Sequence, residues 1–245
     1  MTSVNPFPPS WLDKPFIRYS ASGLSGVFLC ACFPSINWPA IVWVACLPLL
    51  VVLVSQKRSA QGFWLGYLSG AIFLTGSCYW FVGVMRHYGG LSAVAGVGVL
   101  VIFVAVFSTF YGAFGLIETR IAKRSAGWAL FLAPFLWVAL ELARTYLITG
   151  FPWNLLGYAV RPQGLEQIAR VTAVYGLSFL ALATSALLAW VMLIPRRRFG
   201  WIALFAWLVL LLAGDGLLHP PPAQPEPDVA LLVQPNIPLA ESRLK

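Results

Sequence analysis

The sequence predicts an all-α polytopic membrane bundle of about seven transmembrane helices, on three observations. Hydrophobic residues make up 60% of the chain and charged residues only 10%, with a mean hydropathy of +0.81. A soluble domain carries about 25% charged residues, because its surface must be wet. The apolar residues fall into runs close to the roughly 20 that a helix needs to cross the hydrocarbon core. The basic residues sit in small clusters between those runs, where topology signals are found. A bilayer accommodates such a chain, since it lets apolar side chains face outward while helices satisfy their own backbone.

The first run is Phe16 to Phe33 and ends at Pro34; the second is Ile36 to Ser55 and ends at Gln56-Lys57-Arg58. Pro34 and Pro39 set a break between the two, because proline disfavours helical geometry in the residue before it. The third runs from Gly62 to Met85, the fourth from Leu91 to Ile117 and the fifth from Gly127 to Ile148. The sixth is Thr172 to Ile194 and the seventh Phe199 to Leu218. The first is not a cleaved signal peptide: it is too long for an h-region and follows the proline-rich stretch Pro6 to Pro15. The small residues of Gly89 to Gly98 let helices approach closely rather than hold phosphate.

Orientation follows from the basic clusters. Lys14 and Arg18 precede the first run, Lys57 and Arg58 follow the second, and Arg120, Lys123 and Arg124 follow the fourth. Arg196, Arg197 and Arg198 follow the sixth. If the chain crosses at each run, all of these share one side, and the other collects only Arg86, Arg161 and Arg170 before the tail. The positive-inside rule makes the basic side cytoplasmic, so the N-terminus is inside and the C-terminal end outside. The net charge of +8 is therefore a topology signal. A nucleic-acid binder would gather the same charge on one face, so that class is excluded.

The tail changes character. His219 to Asp228 reads HPPPAQPEPD, a linker that cannot continue a helix. Val229 to Gln234 is an apolar run of strand length, followed by Pro235-Asn236-Ile237-Pro238. The expected organisation is a helical domain over 1–218, a proline-rich linker over 219–228 and the start of a second, cut-off domain over 229–245. A disordered tail with an incidental apolar patch is the alternative.

Few residues can carry chemistry. Cys30, Cys32, Cys46 and Cys78 all lie inside apolar runs, form no CxxC and read as small packed hydrophobes. His87 and His219 make no site, and neither a metal nor a cofactor is expected: there is no P-loop and no dinucleotide fingerprint. Glu141 and Arg144, three apart in the fifth run, share a helix face and can pair. They either pin that helix to a neighbour or support a substrate directly. Asp215 reads as interfacial, and Glu118 as an offset to nearby Arg120.

The stretch Thr149-Gly150-Phe151-Pro152-Trp153-Asn154-Leu155-Leu156-Gly157-Tyr158 is more telling. Its aromatics fit interfacial anchors, yet its two glycines and proline fix the backbone more tightly than an anchor requires. Gly150, Phe151, Pro152, Trp153, Asn154 and Tyr158 are the candidate substrate-binding loop, with Glu141 and Arg144 as its supporting ion pair. Leu165 to Ala169 and Val174 to Phe179 read as a short interfacial helix leading into the sixth run.

The order E-x-x-R from Glu141, then TGFPWNLLGY, then Gln167-Ile168-Ala169, then VYGLSFL from Val174, resembles the bacterial apolipoprotein N-acyltransferases. VALLVQPNIP after the proline-rich linker resembles the first strand of that family's α/β nitrilase-like domain. The resemblance covers most of the chain. It implies a multi-pass protein of the bacterial inner membrane, with its catalytic domain on the periplasmic side. It also implies a two-step transfer: a cysteine thiolate takes an acyl chain from a phospholipid as a thioester, and the α-amine of a diacylglyceryl-modified apolipoprotein's N-terminal cysteine accepts it. A Glu-Lys-Cys set serves this chemistry, with Glu as general base, Lys stabilising the oxyanion and Cys as nucleophile. No position here matches that set, since no cysteine follows Cys78 and only Glu241 and Lys245 stand beyond the strand. The expectation is that these residues alone transfer no acyl group. Two other readings stay open: a membrane partner for a separately encoded nitrilase domain, and a small-molecule transporter, for which an inverted repeat is lacking.

Overall fold

The computed structural model describes residues 12, 14–34, 36–147, 150–194 and 197–218. The expected linker at 219–228 and the strand at 229–234 lie outside them. The described residues form helices and 3-10 turns, with no strand among them.

Helix α1 (Pro15–Ala31) begins with a proline, whose missing N–H costs nothing at a first turn. It ends in a tight turn in which Trp38 donates to the Ala31 carbonyl (2.8 Å) and Asn37 takes a left-handed φ of 57°. The expected second run is not one helix. A 3-10 turn (Pro39–Trp43) leads into a short helix α2 (Leu47–Leu53), each started by a proline. This segment lies in the middle of the bundle, with Leu49, Leu50, Val52 and Leu53 fully buried. Its broken backbone leaves carbonyls without helical partners, and hydroxyls from three other helices serve them. Ser25 donates to Ala45, Ser185 to Trp43 (2.9 Å) and Thr119 to Leu53 (3.1 Å). Irregular backbone is tolerated away from water where protein satisfies it.

The third run is also broken. Helix α3 (Ser59–Cys78) meets α4 (Trp80–His87) at a bend of 48°. Helix α5 (Ala93–Ala122) starts where Ser92 Oγ accepts from Ala95 N (3.2 Å), and α6 (Ala126–Tyr146) where Ser125 Oγ accepts from Trp128 N (3.2 Å). A single-turn helix α7 (Gln163–Glu166) precedes α8 (Ala169–Leu193) and α9 (Arg197–Leu217). Among the described residues α5, α6, α8 and residues 199–217 of α9 are long and apolar enough to cross a membrane, with a fifth span if the bent α3–α4 pair counts as one.

Outward-facing Val94, Ile102, Phe205 and Leu212 are each more than two-thirds exposed, as hydrocarbon-facing side chains are. The closest helix pair is α3 with α5. A Cβ on Gly66 would land on the Tyr111 carbonyl, and one on Gly115 would land on the Gly62 carbonyl. Gly62, Gly66 and Gly70, four apart, form a small-residue stripe that lets two backbones touch. Helix α1 lies on α3 through Ser22, whose hydroxyl donates to Leu65 O (2.5 Å).

Candidate functional site

The loop from Gly150 to Val160 joins α6 to α7 and is held on its inner side by buried polar groups. It starts by a backward turn: Gly150 N–H donates to Leu147 O (3.0 Å) and Phe151 N–H to Arg144 O (2.9 Å). Gly150 has φ +79°, where a Cβ would strike the Thr145 carbonyl, so glycine is required there. Phe151 then turns inward and is 5% exposed. Its ring packs with Phe103 (4.8 Å between centroids), Phe107 (5.3 Å) and Trp153 (5.6 Å).

Asn154 is the pivot. At φ +55° it occupies the left-handed region that asparagine tolerates better than most residues. Its amide Nδ2 donates to Ser77 Oγ (3.1 Å) and Cys78 Sγ (3.3 Å), the last residues of α3 before the bend. Its carbonyl accepts from Arg144 Nη2 (3.3 Å). Two residues on, Leu156 N–H donates to Glu141 Oε1 (2.8 Å), which also accepts from Trp137 Nε1 (3.0 Å). Gly157 N–H donates to Ser178 Oγ on α8 (2.8 Å), and a Cβ on Gly157 would collide with the Val174 carbonyl. The backbone of α8 is broken beside this contact, where Ala173 has φ +52°.

The ion pair expected between Glu141 and Arg144 is not closed. Both are buried, at 5% and 1% exposure, and share a helix face as their spacing requires. Yet Glu141 Oε2 and Arg144 Nη1 have no hydrogen-bond partner, while Glu141 Oε1 and Arg144 Nη2 bond the loop backbone. The loop backbone offers an N–H and a C=O that α6 cannot supply, and each charge takes the one that suits it. Arg144 also lies over the rings of Phe151 (5.5 Å) and Tyr111 (5.9 Å), within cation–π range. A cavity with room for about one water molecule opens against both side chains, walled by Tyr111, Phe114 and Trp137.

The outer side of the loop is aromatic and exposed. Trp153 is 54% exposed, Tyr158 50% and, from α4, Trp80 41%, with the Trp80 and Trp153 rings 5.8 Å apart. Pro152 is exposed beside them. Together they form an amphipathic aromatic surface on the outer side of the loop. Of the expected residues, Gly150, Phe151 and Asn154 shape the loop, and Pro152, Trp153 and Tyr158 present its surface. Sequence reasoning missed the parts played by Ser77, Cys78, Trp80, Trp137 and Ser178. Trp137 could have been found, since it stands four residues before Glu141 on one helix face. Asp215 proves to be more than interfacial: its Oδ1 accepts from Gly164 N (2.7 Å) and Leu165 N (3.2 Å), tying the chain after the loop to α9.

Residues 25–187, which include Glu141, Arg144 and the whole loop, match the family model described as the apolipoprotein N-acyltransferase N-terminal domain. The chain belongs to the apolipoprotein N-acyltransferase family. A protein named apolipoprotein N-acyltransferase from Geobacter metallireducens is 38% identical over 173 residues, covering 70% of this chain and 33% of that protein. One of the same name from Coxiella burnetii is 32% identical over 159 residues, 64% of this chain and 33% of that one. A third, from Nitrosomonas europaea, is 32% identical over 202 residues, 80% of this chain and 39% of that one. The chain thus matches between a third and two-fifths of the length of these curated apolipoprotein N-acyltransferases.

Proposed function

We propose that these residues form the membrane part of an enzyme that moves an acyl chain from a phospholipid to the N-terminal amine of a diacylglyceryl apolipoprotein, and that the 150–158 loop is the substrate-facing wall. The reading takes the protein as a multi-pass protein of the bacterial inner membrane with seven crossings, a cytoplasmic N-terminus and a periplasmic C-terminal end. The first two crossings are α1 and the broken 39–53 segment, and the third is the bent α3–α4 pair. Residues 219–228 then act as a linker to a nitrilase-like domain. The Glu-Lys-Cys chemistry belongs to that domain, so the 245 residues by themselves transfer no acyl group; an N-acylated diacylated lipopeptide formed by the purified chain would sink this.

The observation that carries the reading is the loop's two-sidedness. Its inner side is locked by Glu141, Arg144, Ser77 and Ser178, while Trp153, Tyr158 and Trp80 stand exposed together. Holding large aromatic rings rigid and half in the open is what recognition of an amphipathic substrate requires. The test is Trp153→Ala in an intact enzyme containing this membrane part. Loss of an exposed anchor of this kind should lower transfer about tenfold while leaving the bundle folded. Unchanged transfer would return the loop to a plain interfacial anchor.

A further inference from the structure

Along one side of the bundle, α6, α8 and α9 do not close on one another. They leave a crevice of about 320 Å³, within the roughly 300–1,000 Å³ range of ligand pockets. Phe131 and Phe135 of α6, Phe179 and Trp190 of α8, and Phe199 and Trp207 of α9 form its walls. The other lining residues are aliphatic, proline or glycine, so the crevice offers no polar side chain but the two indoles. The Trp207 indole N–H is turned away to Thr184 Oγ1 (2.9 Å), leaving its carbon face to the hollow. Phe131 and Phe135 are 56% and 51% exposed, so the mouth opens sideways, toward the apolar outer surface.

The crevice does not end blindly. A second hollow shares Phe131 and Trp190 with it and continues past Trp128 to Ser125, at the turn between α5 and α6. There Lys123 and Arg124 are exposed, and Arg120 stands in the last turn of α5. Helix α9, which lines the crevice with α6 and α8, begins at Arg197. An apolar slot between membrane helices therefore leads to a cluster of positive charge. Water is a poor occupant of such a lining, and a hydrocarbon chain a good one. A zwitterionic head group would bring no net charge to the basic end, whereas an anionic one would.

We propose that the α6–α8–α9 crevice is a binding site for an anionic phospholipid, with one acyl chain between Phe135, Trp190 and Trp207 and the phosphate against Lys123 and Arg124. The site is distinct from the substrate wall. With the topology of the preceding subsection, on which the leaflet assignment rests, it draws its lipid from the cytoplasmic leaflet. The chemistry is that of basic pockets between membrane helices, which hold anionic head groups.

Native mass spectrometry of the purified chain, from micelles holding equal phosphatidylglycerol and phosphatidylcholine, tests the proposal. Wild-type protein should retain phosphatidylglycerol about thirtyfold over phosphatidylcholine, the effect of two facing charges. Ala203→Phe, which fills the crevice from α9, should lose the retained lipid. The exposed pair Lys123→Ala/Arg124→Ala, which leaves the fold untouched, should keep a lipid but bring the two to parity. Parity in the wild type, undiminished phosphatidylglycerol in Ala203→Phe, or no retained lipid at all would overturn it; the last is what a covering polypeptide segment would give. The leaflet is read separately: a Lys123→Cys thiol labelled by impermeant maleimide in intact spheroplasts would overturn the topology and leave the micelle result standing.

Discussion

Replacing Glu141 by alanine should loosen the 150–158 loop more than any single change at its exposed face. The carboxylate receives two buried donors, Trp137 Nε1 at 3.0 Å and Leu156 N at 2.8 Å, and it is the only carboxylate bonded to the loop among the described residues. Hydrogen bonds between membrane helices average only about 0.6 kcal/mol, because the separated helices find other partners. That figure does not apply here. The Leu156 N–H opens a 3-10 turn (Leu156–Ala159) and is buried, with no carbonyl of that turn to accept it, so its loss costs the full desolvation of a buried donor, about 1–3 kcal/mol. Adding the indole N–H as a second buried donor left without an acceptor brings Glu141→Ala to about 3–5 kcal/mol. Glu141→Gln keeps one acceptor oxygen and nearly the same volume, and should cost about 1 kcal/mol. At roughly 2–4 °C per kcal/mol for a chain of this size, alanine lowers the melting temperature by on the order of 10 °C and glutamine by a few degrees. Tryptophan fluorescence during heating in mild detergent reads the first quantity, and the rate of limited proteolysis within 150–158 reads the loop itself. Equal melting of Glu141→Ala and wild type, or glutamine as damaging as alanine, would refute the reasoning.

Two further substitutions probe the bundle. Gly66→Ala should destabilise by about 1–3 kcal/mol, because its Cβ has nowhere to go but the Tyr111 backbone. Gly98→Ala, with nothing within 4 Å of the new Cβ, should be neutral or up to about 1 kcal/mol stabilising; equal effects in a melting comparison would mean that α3 and α5 do not touch there. Glu118 is fully buried in α5 and neither of its oxygens has a partner, so Glu118→Met should raise the melting temperature. A buried polar group left without a hydrogen bond costs about 1–3 kcal/mol, which an apolar side chain of similar volume removes. A lower melting temperature would reveal a partner for this carboxyl group.

What could be read from the sequence was what local patterns determine. Helices α5, α6, α8 and α9 lie where uninterrupted apolar runs end in serine caps, basic residues or proline. The 36–55 run has the same composition, yet Pro39 and Pro48 break it, and only the bundle shows how Ser25, Thr119 and Ser185 make the break tolerable. Tyr79 carries no helix-breaking signal, and the bend there is held by Asn154, 77 residues from Ser77 in sequence. The loop was legible because glycine, proline and aromatics announce a shaped backbone. Its anchoring was not, since a three-residue spacing places Glu141 and Arg144 on one face without saying that a loop carbonyl and amide would come between them. The spacing of Gly62, Gly66 and Gly70 was visible and went unread, because those positions look like any other small residues in an apolar run.

The three-sided grip on the loop has a mechanical consequence. Its fastenings come from α3, α6 and α8, which are separate columns of the bundle. Such a loop is a rim and not a flap. Swinging it aside would mean parting three columns at once, and tightly packed interiors switch between discrete arrangements rather than yield by degrees. If the loop is the substrate-facing wall proposed above, molecules arriving from the membrane plane meet a threshold of fixed height and shape. Sorting at such a threshold is by fit, and the freedom that lets one in and its successor out belongs to the sideways gaps between the columns.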